Sequence, residues 1–296
     1  MAAPAVKRRV APAQPTDMRR LEQVFQTVEP RVELRVFARA EDLALAAAAE
    51  FLARARAAVA QRGRFVVALP GGSTPGRFYA HLAGWHRAGT GRIPWGRVHV
   101  FWGDERLVPP GHTDSNFRNV NEALLVQVPI PQGNVHRIRT EGRSPAGAAA
   151  LYDQEIRTFF KLPVGRLPRF DLVVLGLGAD GHTASLFPRS EALAEESRLV
   201  VAPMVAKLGT HRITVTLPVL NNARAIMFLV SGEQKSEALA RALHGGAGGE
   251  ALPARLVRPR DGTLLWLVDR AAARKLREAS VGHATPEARH LNPGRT

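Results

Sequence analysis

Apolar positions along the chain gather into short runs of strand length, separated by stretches with helical period. Val32 to Phe37, Phe65 to Leu69, Val98 to Trp102, Leu172 to Leu175, Ile226 to Val230 and Leu264 to Val268 are such runs, and most contain no polar residue. A strand that is apolar at successive positions is covered on both faces, as in a parallel sheet packed under helices. Leu199 to Ala202 and Ile213 to Thr216 read as further short strands. Helices are predicted over Glu41 to Arg62, Thr74 to Arg87, Ser115 to Val126, Pro145 to Phe160 and Glu233 to Leu243, with a short one after His182 and a last one from Asp269. The first has acids at its start, arginines later and Gly63 as a stop. The alternation predicts an α/β fold: a single domain over 31–279 with a mainly parallel, open, Rossmann-like sheet and helices on both faces. Residues 1–30 and 280–296 lack a clear period and carry prolines, which predicts a flexible N-terminal extension and a flexible C-terminal tail.

Open parallel sheets bind ligands at the carboxyl ends of their strands. Three segments with candidate chemistry follow strands here. The first is Pro70-Gly-Gly-Ser-Thr-Pro-Gly76. Gly71 and Gly72 let backbone approach a ligand, and Thr74 and Pro75 suit a helix cap and first turn. A helix start adds partial positive charge, so the loop suits an anion, although the Lys-Ser/Thr pair of a Walker loop is missing. An ordinary glycine turn remains open at this point. The second is Gly103-Asp-Glu-Arg106, where Arg106 suits a phosphate contact and Asp104 and Glu105 point to opposite sides of an extended chain. A surface ion pair at a strand end is the alternative. Ser115 and Asn116 follow, placed to cap the next helix or bind hydroxyls.

The third segment runs Asp171-Leu-Val-Val-Leu-Gly-Leu-Gly-Ala-Asp-Gly-His-Thr-Ala-Ser-Leu-Phe-Pro188. Gly176, Gly178 and Gly181 match the Gly-x-Gly-x-x-Gly dinucleotide fingerprint. A dinucleotide site needs a long helix after the third glycine and an acid closing the next strand. Pro188 shortens any such helix, and Glu195 and Glu196 precede the next apolar run. Asp180-Gly-His182 instead reads as a mount for an imidazole, a side chain titrating at about 6.5 and thus largely neutral at physiological pH. Neighbouring backbone N–H groups would stabilise an oxyanion.

Composition narrows the partners. The 296 residues carry 41 Lys and Arg against 26 Asp and Glu, a net charge of +15. The basic residues are spread out, and aromatics make up only 6% of the chain, so no nucleic-acid interface is expected. The positive field favours a small anionic substrate. No apolar stretch reads as a membrane span. With no cysteine there is no disulfide or thiolate metal site, which fits a cytoplasmic protein. The histidines show no metal-ligand spacing, and no Gly-x-Ser-x-Gly elbow occurs.

In order along the chain stand Gly71-Gly-Ser-Thr-Pro75, Gly103-Asp-Glu-Arg106, Asp114-Ser-Asn116, Gly178-Ala-Asp-Gly-His-Thr-Ala-Ser-Leu-Phe-Pro188, Arg212-Ile-Thr-Val-Thr-Leu-Pro218 and Gly232-Glu-x-Lys235. This set resembles the 6-phosphogluconolactonase family from about Val32 to Lys275. The resemblance implies a lactonase domain over 31–279 that hydrolyses 6-phospho-D-glucono-1,5-lactone, a step of the pentose phosphate pathway, without cofactor or metal. It implies His182 as general base, with Asp180 orienting the loop or the imidazole. It implies Gly71, Gly72, Ser73, Thr74, Arg106, Lys207 and Arg212 as the substrate and phosphate pocket, with polar contacts from Ser115 and Asn116. A monomer or weak oligomer is expected. One departure concerns Lys207: the family follows this lysine with two prolines, whereas Leu208, Gly209, Thr210 and His211 stand here. The related glucosamine-6-phosphate deaminases carry a carboxylate five residues after the histidine, where this chain has Phe187, and Asp-Glu-Tyr where it has Asp104-Glu-Arg106.

Overall fold

The apolar runs assemble into one sheet in the computed structural model, which describes residues 7–8, 21–26, 32–245 and 252–276. In chain order the elements are β1 (Lys7–Arg8), β2 (Leu21–Gln26), β3 (Val32–Phe37), α1 (Ala40–Arg62), β4 (Phe65–Leu69), α2 (Ser73–Arg87), β5 (Val98–Trp102) and β6 (Asp104–Arg106). Then follow α3 (Asn116–Ala123), β7 (Val135–His136), α4 (Pro145–Phe160), β8 (Leu172–Gly176), β9 (Val200–Val201), β10 (Met204–Val205) and β11 (Thr210–Val215). The last are α5 (Leu217–Asn221), β12 (Ala225–Val230), α6 (Ser236–His244), α7 (Pro253–Leu256) and β13 (Thr263–Asp269).

The central sheet has the order β3-β13-β12-β8-β4-β5-β7, parallel throughout. β2 adds antiparallel to β3, and β1 to β2, so Leu21–Gln26 joins the sheet inside the stretch expected as an extension. Apart from Lys7–Arg8 and Leu21–Gln26, the stretch 1–30 lies outside the described residues, as does the 280–296 tail. β4, β12 and most of β13 are buried at every position. Helices cover both faces. Phe65 meets Phe51 of α1 edge-on at 5.1 Å, and Phe101 meets Phe159 of α4 at 5.1 Å. Phe101 is in register with Ala68, three residues from Phe65, so the two contacts lie on opposite faces. No helix among the described residues is long and apolar enough to cross a membrane.

A small antiparallel sheet of β6, β9, β10 and β11 sits beyond the end of β5, separated from it by Gly103. Its register places Arg212 of β11 opposite Arg106 of β6.

Several boundaries differ from the sequence expectation. α2 starts at Ser73 with Gly72 at the cap, so Thr74 lies inside the first turn and is not the cap. α3 ends at Ala123, and a separate 3-10 turn covers Leu125–Gln127. No helix starts directly after His182; the first helical turn beyond it is a 3-10 turn at Glu191–Ala194. Thr183 and Leu186 instead exchange backbone hydrogen bonds of 3.3 and 2.9 Å, and Ala184 takes a left-handed φ of 48°. Side chains compete with the helix here: Thr183 Oγ1 donates to Gly176 O at 2.9 Å and Ser185 Oγ to Asp104 Oδ2 at 2.7 Å.

Candidate active site

The strand ends of β4, β5, β8 and β12 deliver four turns to one cleft of about 320 Å³. That volume suits a small molecule. From β4 come Gly71, Gly72, Ser73 and Thr74; from β6 and α3, Asp104, Arg106 and Asn116; from the β8 turn, Gly178 and His182. The turn after β12 adds Ser231, Gln234 and Lys235.

The β4 turn is shaped by what lies beneath it. A Cβ on Gly71 would collide with the Asn116 carboxamide, so only glycine lets the turn settle there. Asn116 is itself pinned: its Nδ2 donates to Asp104 O at 2.9 Å and its N–H to Glu105 Oε1 at 2.7 Å. α2 starts without a side-chain cap hydrogen bond. Its first-turn N–H groups therefore lack a side-chain acceptor at the cleft, and the helix dipole adds positive charge there.

Asp104 and Glu105 are 7% and 3% exposed, which replaces the surface ion pair considered from sequence with a buried network. Glu105 accepts from the N–H groups of Asn116 and Phe117, from Arg106 N and from Ser115 Oγ, fastening the α3 start to β6. Burial pushes its carboxyl up, against the pull of those N–H groups.

Four cations approach the cleft unequally. Arg106 lines it, steadied by a 2.5 Å bond from Nη1 to Asp114 O. Arg212 stands across the β6–β11 ribbon and does not line the cleft. Burial, and then the Arg106 charge, pull its guanidinium below the usual arginine range. Lys235 lines the cleft, and burial pulls its ammonium down while Asp180 opposes. Ser231 and Gly232, which open its turn, are held by Asp269: Ser231 Oγ donates to Oδ2 at 2.5 Å and Gly232 N at 3.1 Å. Lys207 does not line the cleft and pairs with Asp180 Oδ2. Ser115 also stays out of it, capping α3 and bonding Glu105.

His182 stands at the cleft with its Nδ1 bonded to Asp180 Oδ1, which leaves Nε2 as the ring nitrogen available there. Its ring lies 4.4 Å from that of Phe187. A Cβ on Gly178 would strike the imidazole, so this glycine makes room for the histidine. Burial pushes the Asp180 carboxyl up, but Lys207 and His182 outweigh it and hold it well below the usual carboxylate range. The loop's own N–H groups are spent internally: Gly178 N bonds His182 O, Gly181 N bonds Gly178 O, and His182 N bonds Asp180 Oδ1. The oxyanion role expected of them is therefore not available from these three.

The cleft thus gathers Gly71, Gly72, Ser73, Thr74, Arg106, Asn116 and His182, with Asp180 behind the histidine. It leaves Ser115, Lys207 and Arg212 outside. Lys235, Gln234 and Ser231 were missed as site residues, although Gly232 between a strand and a helix repeats the signal read at Gly71 and Gly72.

Comparison with known proteins gives a consistent set. Residues 38–266 match the family described as Glucosamine-6-phosphate isomerases/6-phosphogluconolactonase. A 6-phosphogluconolactonase of Nostoc sp. is 44% identical over 219 residues, covering 74% of this chain and 88% of the relative. One of Mycobacterium tuberculosis is 38% identical over 247 residues, covering 82% and 98%. The solved 6-phosphogluconolactonase of Trypanosoma brucei superposes with a TM-score of 0.70 at 29% identity, covering 82% of this chain and 98% of that one. A monomeric glucosamine-6-phosphate deaminase, at 17% identity and a TM-score of 0.67, shares the fold.

Proposed function

Since the chain belongs to the glucosamine-6-phosphate isomerase/6-phosphogluconolactonase family, we propose that it hydrolyses 6-phospho-D-glucono-1,5-lactone, with His182 as general base. The carrying observation is that the His182 imidazole, the uncapped α2 start and two cations line one small cleft. An ester with a distal phosphate needs those parts together: a base for water and an anchor that fixes the carbonyl beside it.

Asp180 holds Nδ1 of His182 as the donor, so Nε2 carries the lone pair. Nε2 takes a proton from water as the water oxygen adds to the lactone carbonyl carbon. The tetrahedral intermediate collapses by breaking the bond from that carbon to the ring oxygen. The ring oxygen leaves as a hydroxyl with the proton returned by the imidazolium, and the product is 6-phosphogluconate. The 6-phosphate rests on the first-turn N–H groups of α2, with Arg106 and Lys235 as its cationic partners. Gly71, Gly72, Ser73 and Thr74 form the cradle, and Arg212 strengthens the field from behind Arg106.

The test is lactone hydrolysis measured above its spontaneous background, with glucosamine 6-phosphate as the control substrate. Turnover of the lactone alone is expected. Turnover of the amino sugar instead would overturn the assignment, as would lactone hydrolysis no faster than the background. Phe187 occupies the position at which the deaminases carry a carboxylate, so this chain lacks the group at that place.

A further inference from the structure

We propose that Lys207 is a positioning residue for the His182–Asp180 pair and not a ligand of the substrate phosphate. The inference rests on His182 being the base. Lys207 sits in a 3-10 turn, Ala206–Leu208, between β10 and β11. Its ammonium bonds Asp180 Oδ2, while His182 Nδ1 holds Oδ1, so each carboxylate oxygen has its own partner. The same ammonium stands 4.5 Å from the centre of the Phe187 ring, and that ring lies 4.4 Å from the His182 imidazole. The four side chains close a circuit: lysine to carboxylate, carboxylate to imidazole, imidazole to phenyl, phenyl back to lysine. A carboxylate held at one oxygen swings about its last torsion and takes the imidazole with it. Held at both, it does not.

Two observations separate this role from others. Lys207 does not line the cleft, whereas Arg106 and Lys235 do. Its side chain is 51% exposed, and an ion pair so open to solvent adds little to fold stability. Its effect therefore falls on the geometry and charge of the pair it touches. The charged groups that face Asp180 are Lys207 and His182, which bond it, and Lys235 across the cleft. With Lys207 removed, the carboxylate keeps more of its charge for the imidazolium and less of its fixed orientation.

Lys207→Met and Lys207→Arg test this in the full chain. In Lys207→Met, kcat for the lactone is expected to fall about tenfold to a hundredfold, as when an orienting partner is lost from a working side chain. KM stays within about twofold, and the acidic limb of kcat moves to higher pH. Lys207→Arg restores most of kcat. In the protein without substrate, the Asp180 carboxyl, followed by carbon NMR, titrates at higher pH in Lys207→Met. A raised KM with kcat retained would make Lys207 a substrate ligand and overturn the proposal, as would an unchanged Asp180 titration. If His182→Ala retains full turnover, the general-base assignment fails by itself, while the Asp180 titration still decides whether Lys207 governs that carboxylate.

Discussion

Among the described residues, two histidines are hydrogen-bonded through Nδ1 to a carboxylate, and they have opposite surroundings. At the strand ends, His182 bonds Asp180 and is 31% exposed in its side chain. At the sheet edge, His136 of β7 bonds Glu155 Oε1 at 3.0 Å and is 12% exposed. The second nitrogen of His136 is taken by His99 Nδ1 at 3.3 Å, and its ring stacks on Phe101 at 4.2 Å and 12°. Phe159 closes over both imidazoles at 4.8 Å. The second nitrogen of His182 is left to a cleft that Arg106 and Lys235 share. A histidine–carboxylate pair is thus not a site in itself. On the role proposed for His182, the second nitrogen and the charges around it separate a pair placed for chemistry from one that holds a sheet edge together.

The largest expected effect is on the exposed pair. His182→Ala should lower kcat for the lactone at least about a hundredfold, the usual scale of general-base loss. Its melting temperature should stay close to that of the parent. Steady-state kinetics beside thermal melts decide this, and turnover near the parental value would remove His182 from the mechanism. The cations come next, because only the exposed pair shares a cleft with them. Arg106→Ala should raise KM about tenfold or more, as a charge-assisted contact is worth about 1.5–3 kcal/mol. An unchanged KM would take Arg106 out of the phosphate site. For the sealed pair the pattern inverts. His136→Ala strands the Glu155 carboxylate and empties the stack on Phe101, which should cost about 1–3 kcal/mol in a denaturant melt. kcat should stay within about twofold, and a larger drop would erase the contrast between the two pairs.

Much of this frame could be read from the sequence, and the reasons are local. β4 and β5 have the bounds predicted for them, because strands buried on both faces are written as continuous apolar runs. α4 also has its predicted bounds: Ser144 caps it by accepting from Gly147 N, and Pro145 opens it. Resemblance carried His182 and Arg106 to the cleft, since their glycine-rich turns are contiguous motifs. What stayed hidden depends on partners distant along the chain. Asp104 is satisfied by Ser185, 81 residues away, so no local pattern marks it as buried. Glu105 reads as a surface charge until Asn116 and Phe117 fold back onto it. Lys207 meets Asp180 across 27 residues, through a hairpin whose register the sequence left open. The helix expected after His182 loses to Thr183 and Ser185, whose bonds reach other strands.

The smallest predicted effect concerns acid, and it tests the sealed pair from the side of charge. Burial, then the neighbouring His136, then Arg64 lower the pKa of His99 to about 4. In the unfolded chain a histidine titrates at about 6.5. Between these values the unfolded chain binds more protons than the native one, so stability rises with pH across the window. It is therefore lost progressively as pH falls from about 6.5 towards 4. His244, lowered by burial and then by Arg255, slopes the same way, so the total slope does not identify His99. Glu141 is held near 2 chiefly by its bond to Arg137, and its loss of stability comes at lower pH. Subtraction isolates the sealed pair. His99→Phe keeps an aromatic ring against Phe159 and His136 but cannot take a proton. Its melting temperature should fall less steeply than that of the parent between pH 7 and 5. Equal slopes would mean that the edge cluster accepts charge without penalty. The two histidine–carboxylate pairs would then differ in access alone.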